Sequence, residues 1–174
     1  MPEPTLTELA SALRDRQRPL KAGYREDPAS AVIPATATAR VDQTGLSATV
    51  STWAGDVVAG LHPAAGGDGT QACSADILMQ SLVACAGVTL SSVATALGVE
   101  LRSAQVRADA TWDARGTLGV DRAAPVGLTS VDLVFDLDTD ADEDAVARLL
   151  ELTERFCVVA RTLAQPPTVT VRRA

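Results

Sequence analysis

Aromatic side chains are scarce in this chain: two Trp, two Phe and one Tyr in 174 residues, or 3%. Any core must therefore be built from Val, Leu, Ile and Ala, within a hydrophobic content of 47%. Lysine is almost absent, Lys21 being the single one, and acidic residues outnumber basic ones 22 to 15. The resulting net charge of −7 and pI near 4.6 argue against nucleic acid or an anionic membrane as a partner. Histidine is limited to His62, and the three cysteines, Cys73, Cys85 and Cys157, fall in no CxxC or Cys/His ligand spacing. A structural zinc site is hard to assemble from that inventory. Met1-Pro-Glu-Pro-Thr5 opens without a basic stretch followed by an apolar run, so a cytoplasmic location is expected. In that reducing setting a disulfide is more often transient and catalytic than structural.

What the chain does have is one long uncharged run, Ile77 to Val99, 23 residues. That length suffices to span a bilayer. Gln80, Ser81, Thr89, Ser91, Ser92 and Thr95 interrupt it, and no aromatic belt or basic flank marks its ends. The expectation is a buried core helix with Cys85 near its middle. Ser74 is a candidate N-cap, and Asp76 complements the helix dipole from the first turn.

Around that helix the chain divides into an N-terminal helical arm, 1–34, and a domain, 35–174. Leu6, Leu9, Ala10 and Leu13 recur at helical spacing behind Thr5 or Thr7 as a cap. Arg14, Arg16, Arg18, Lys21 and Arg25 form a basic patch, and Pro19 and Pro28 are expected to break the helix. The arm is read as solvated or as folding over an active site or a partner subunit. Three short strands, near 36–41, 46–53 and 56–61, form an antiparallel meander. Residues 62–75 are a Gly-rich connection lacking both phosphate-loop patterns. A strand over 99–113 places Val106, Ala108, Ala110 and Trp112 on one face, and 131–138 alternates likewise. Asp140-Ala-Asp-Glu143 resembles a capping box opening a helix. Val146, Leu149, Leu150, Thr153, Cys157, Ala160 and Ala164 share its buried stripe, Pro166-Pro167 ends it, and Val169 and Val171 close the chain as a strand. The expected class is α+β, two principal helices with antiparallel sheets.

Two cysteines on two core helices, 72 residues apart, resemble the pattern of the OsmC/Ohr family of osmotically inducible and organic-hydroperoxide-resistance proteins. The Gly-rich stretch Gly66-Gly67-Asp68-Gly69-Thr70, the run Asp76-Ile-Leu-Met-Gln-Ser-Leu-Val-Ala-Cys85, and Thr153-Glu-Arg-Phe-Cys157 carry the resemblance, which covers roughly residues 35–172. It implies the OsmC-like fold as an intertwined homodimer with active sites at the subunit interface and no metal or prosthetic group. It further implies a thiol peroxidase acting on organic hydroperoxides. Cys85 would become a sulfenic acid, Cys157 would resolve it as a disulfide, and an external dithiol would restore both.

Cys85 lies nine residues beyond Asp76, outside the reach of the helix dipole, so a cation is expected to stabilise its thiolate. Arg40 is the nearest match to the family's arginine, with Arg16 and Arg18 in reserve. Two positions depart from the family pattern. Ala75 stands where the peroxidases carry a glutamate, and at ~100° per residue Asp76 points to the face opposite Cys85. Val158 follows Cys157 where proline is usual. The alternative is a non-catalytic OsmC-like module binding a small apolar ligand or a protein partner, with Cys85 and Cys157 as packed small hydrophobes. Cys73 fits no family role, and His62 is a loop residue that could line a pocket.

Overall fold

The computed structural model of the protein describes residues 4–163. The elements run α1 (Leu6–Glu26), β1 (Ala39–Asp42), β2 (Ser47–Thr52), β3 (Gly55–Gly60), β4 (Ala72–Cys73), α2 (Ser74–Leu97), β5 (Ser103–Trp112), α3 (Ala114–Thr117), β6 (Leu128–Asp138), α4 (Glu143–Phe156) and α5 (Val158–Leu163). The class is α+β, as expected. The terminal strand at Val169 and Val171, with Ala164 and Pro166-Pro167, lies outside the described residues.

The described residues form two compact units, one of residues 4–18, 81–107 and 134–163, the other of 19–80 and 108–133. In the second, β1, β2 and β3 pair antiparallel, with Arg40 opposite Thr49 and Val50 opposite Val57. The Gly-rich connection is more ordered than expected. It turns through a short 3₁₀ segment at Pro63–Ala65, which ends on Gly66 in the left-handed region at φ 93. It then adds β4 parallel to β3, Gly60 beside Cys73. A Cβ on Gly67 would sit 1.7 Å from the Leu61 carbonyl oxygen, so only glycine permits that return. Between β5 and β6, α3 opens on Asp113, whose side chain accepts from the Arg115 N–H.

The first unit holds the described core. Leu82, Ala86, Leu90 and Val93 form one buried stripe on α2, the spacing of a single helix face. Leu90, Val93, Ala94 and Val99 cluster with Leu149 of α4, and Val106, Phe135, Leu137 and Leu150 pack against them. Burying Leu90 and Leu149 contributes roughly 1.5–3 kcal/mol each. Among the described residues α2 alone is long and apolar enough to cross a membrane, yet this stripe is packed on protein. The alternation of β5 holds, Val106, Ala108, Ala110 and Trp112 half-buried and Arg107, Asp109 and Thr111 exposed.

Four local expectations are corrected. Helix α1 passes through Pro19 and stops at Glu26 before Pro28. Proline blocks the bond to the preceding turn but is compatible with the helical turn that comes after it, and the division between units falls at Arg18 and Pro19. Ser74 is the first residue of α2, since Cys73 is held in β4. Asp142, not Asp140, caps α4, accepting the Ala145 N–H at 2.8 Å; Asp140 pairs instead with Arg102. The stripe through Cys157 is two helices, α4 and α5, separated at Cys157 by an extended backbone of φ −71, ψ 104.

Candidate functional site: a thiol pair at a helix break

Cys85 and Cys157 both belong to the first unit. Cys85 is half-buried in the middle of α2, at the edge of the Leu82–Leu90 stripe. One turn on, the Thr89 hydroxyl donates to the Cys85 carbonyl at 2.8 Å. Cys157 is 1% exposed and free. Its N–H donates to the Thr153 carbonyl at 3.0 Å, closing α4, and its own carbonyl accepts from the Arg161 N–H at 3.0 Å, opening α5. Beneath it the buried Thr153 hydroxyl donates to the Leu149 carbonyl at 2.8 Å.

The two sulfurs face each other and differ electrostatically. Burial pushes the Cys85 thiol up, but the backbone N–H of Val159, the Cys157 thiol and the N–H of Val158 hold it below its ordinary value. Each donor stabilises the thiolate by hydrogen bonding. Burial also raises Cys157, and there the N–H groups of Ala160 and Val159 do not overcome it, because the Cys85 sulfur opposes a second negative charge. Of the two thiols, Cys85 is the one that gives up its proton more readily and Cys157 the one that holds it more tightly.

Arg40 is exposed on β1 in the other unit. Arg18 pairs with Asp15 at 3.7 Å on the exposed side of α1. Arg16 lines an open cleft of the first unit with Leu9, Leu13, Val88, Ser91 and Ser92, so the arm packs along α2 there. Ala75 and the exposed Asp76 occupy the first turn of α2, in the second unit. Residue types do not reveal the main-chain amides of Val158 and Val159, which act on Cys85 beside the Cys157 thiol.

Cys73 and His62 line a separate cavity of about 380 Å³ with Leu61, Leu78, Trp112 and Leu128. His62 accepts the Ala64 N–H on Nδ1 at 3.0 Å and stands edge-on to Trp112, ring centres 5.5 Å apart. Among the described residues no group of three or more His, Cys, Asp or Glu is arranged to hold a metal ion.

The family model for OsmC-like protein matches residues 67–172, which includes all three cysteines. No curated protein sequence matches the chain. Among solved structures, an OsmC-like protein from Mycoplasma pneumoniae superposes with a TM-score of 0.62 at 16% identity, covering 76% of this chain and 88% of that one. The organic hydroperoxide resistance protein OhrB of Bacillus subtilis gives 0.55 at 20% identity, over 74% and 89%. An organic hydroperoxide resistance protein OsmC from Legionella pneumophila gives 0.53 at 14% identity, over 76% and 91%. At these identities the likeness is one of fold.

Proposed function

The chain belongs to the OsmC-like protein family, and from that premise we propose that it is a thiol-dependent peroxidase reducing organic hydroperoxides. The observation that carries the reading is the meeting of Cys85 on α2 with the buried Cys157 at the α4–α5 break, the first thiol held down by hydrogen-bond donors and the second pushed up by burial. The Cys85 thiolate attacks the terminal peroxide oxygen, the O–O bond breaks, and the departing alkoxide takes a proton to leave as an alcohol. Cys85 is then a sulfenic acid. The Cys157 sulfur displaces its hydroxyl, which leaves as water, and a Cys85–Cys157 disulfide forms. An external dithiol returns both thiols and is itself oxidised to a disulfide, a cycle suited to a reducing cytoplasm. Two hydroperoxide resistance proteins among the structural neighbours support this substrate class.

A homodimer belongs to the same proposal. Val32, Ile33, Val41 and Trp53 are 78%, 71%, 77% and 100% exposed in the single chain, apolar side chains that a partner subunit would cover.

The test is mass spectrometry of reduced protein after tert-butyl or cumene hydroperoxide. About two thiols per chain should disappear and a Cys85–Cys157 disulfide should appear. Cys85→Ser should abolish the reaction, and Cys157→Ser should leave a sulfenic acid on Cys85 that dimedone traps. Thiols intact at stoichiometric excess of peroxide would sink the reading. The non-catalytic binding module, which Ala75 in place of a carboxylate favours, would then stand.

A further inference from the structure

His62, Cys73 and the Gly-rich connection between them take no part in the chemistry of the thiol pair, yet the fold gathers them around one cavity of about 380 Å³ within the second unit. Its walls are the end of β3, β4, the start of α2, the last residue of β5 and the first of β6. Leu61, Leu78, Trp112, Val126 and Leu128 make it mainly apolar, and no Asp, Glu, Lys or Arg lines it among the described residues. The volume falls in the range of small-molecule sites. A charged guest would lose its hydration there without meeting a counter-charge, so the walls select a neutral one.

One wall carries a polar group held in place. The His62 carbonyl accepts the N–H of Ala65 at 2.8 Å and that of Gly67 at 3.1 Å, while its Nδ1 accepts the Ala64 N–H at 3.0 Å. The last bond requires Nδ1 to be bare, so Nε2 carries the ring proton and is the atom that can donate it. Trp112 stands edge-on to the same ring, centres 5.5 Å apart. Gly67 permits this hold, because any side chain there would strike the Leu61 carbonyl. We propose that the cavity is a binding site for a small, neutral, largely apolar molecule bearing one hydrogen-bond acceptor, which His62 Nε2–H engages while the hydrocarbon body lies against Leu61, Leu78 and Trp112. An occupant shields Cys73, which lines the same space. None of the peroxidase steps uses these residues, so the two readings stand or fall separately.

Three probes of nearly one size and shape separate these demands: acetophenone is neutral with a carbonyl acceptor, cumene is neutral without one, and benzoate is charged. Alkylation of Cys73 by limiting iodoacetamide is followed at pH 8 by peptide mass spectrometry of the full reduced chain, with Cys85 as internal reference. Acetophenone should slow alkylation of Cys73 relative to Cys85 by about threefold or more at saturation. Cumene should protect about three- to tenfold more weakly for want of the hydrogen bond, and benzoate should give no protection. His62→Asn, whose Oδ1 can still accept the Ala64 N–H but which has no Nε2–H, should bring acetophenone down to the level of cumene. The comparison of the three probes is made on the parent chain and does not depend on that variant folding. The proposal is overturned if acetophenone gives no protection, if benzoate protects equally, or if the acetophenone effect survives His62→Asn undiminished. A Cys73 already unreactive without any probe, because a second subunit covers the cavity, overturns it as well.

Discussion

Cys85 sits where a helix offers a thiolate little, since its own amides are used in the ladder and the dipole acts only near the ends. Its stabilisation comes from a different segment, and that has a thermodynamic consequence. The folded Cys85 thiol loses its proton below the range of a free thiol, about 8.5. Between those two values the unfolded chain binds more protons, so stability rises with pH across that window. Cys157 is held above the free value and reverses the slope at higher pH. Urea midpoints of reduced protein should rise across the first window, and Cys85→Ser should flatten the rise. Two buried neighbours contrast with each other. Leu149 is 0% exposed in the core cluster, so Leu149→Ala should cost about 2–5 kcal/mol through its cavity. Thr153→Val should cost much less, because it removes a hydroxyl whose acceptor, the Leu149 carbonyl, also serves the helix ladder. Urea unfolding of both variants would separate the two effects; equal losses would contradict the assignment.

At the level of elements, caps and breaks decide how one apolar stripe is used. Asp142 accepts the Ala145 N–H, while Asp140 is turned to Arg102 with its side chain 91% exposed. Asp142→Ala should therefore lower stability by about 1 kcal/mol in urea unfolding, whereas Asp140→Ala should leave it almost unchanged. Both acids stand in the same four-residue pattern, and only the backbone at Asp142 (φ −68, ψ 167) makes it the cap. Thr5 and Glu8 show the opposite case. The Thr5 N–H meets the Glu8 carboxylate at 2.8 Å and the Glu8 N–H meets the Thr5 hydroxyl at 3.3 Å, a capping box whose Thr5 end is readable from spacing alone. Pro19 departs from its expected role because proline forbids one bond to the turn before it without preventing the turn after it.

For the molecule as a whole, the chain alone leaves apolar residues such as Trp53 and Val41 uncovered. Sedimentation equilibrium should give twice the 18.0 kDa chain mass at micromolar concentration. A monomer at that concentration would remove the homodimer from the proposal and leave those side chains without a role.

The α+β class, the central helix, the alternation of β5 and the addresses of both cysteines are all legible in the amino-acid sequence. Each of these is written in local periodicity or in the order of motifs along the chain, and the OsmC-like match over residues 67–172 agrees. Three further properties depend on the folded chain: that Cys85 and Cys157 face each other, which of them holds its proton more tightly, and that backbone amides beside Cys157 act on Cys85. Every residue but proline carries an N–H, so side-chain identity does not mark which ones are left without a partner. That depends on where the backbone leaves its helical path, and at Cys157 it does so in the middle of an apolar stripe that reads as continuous helix.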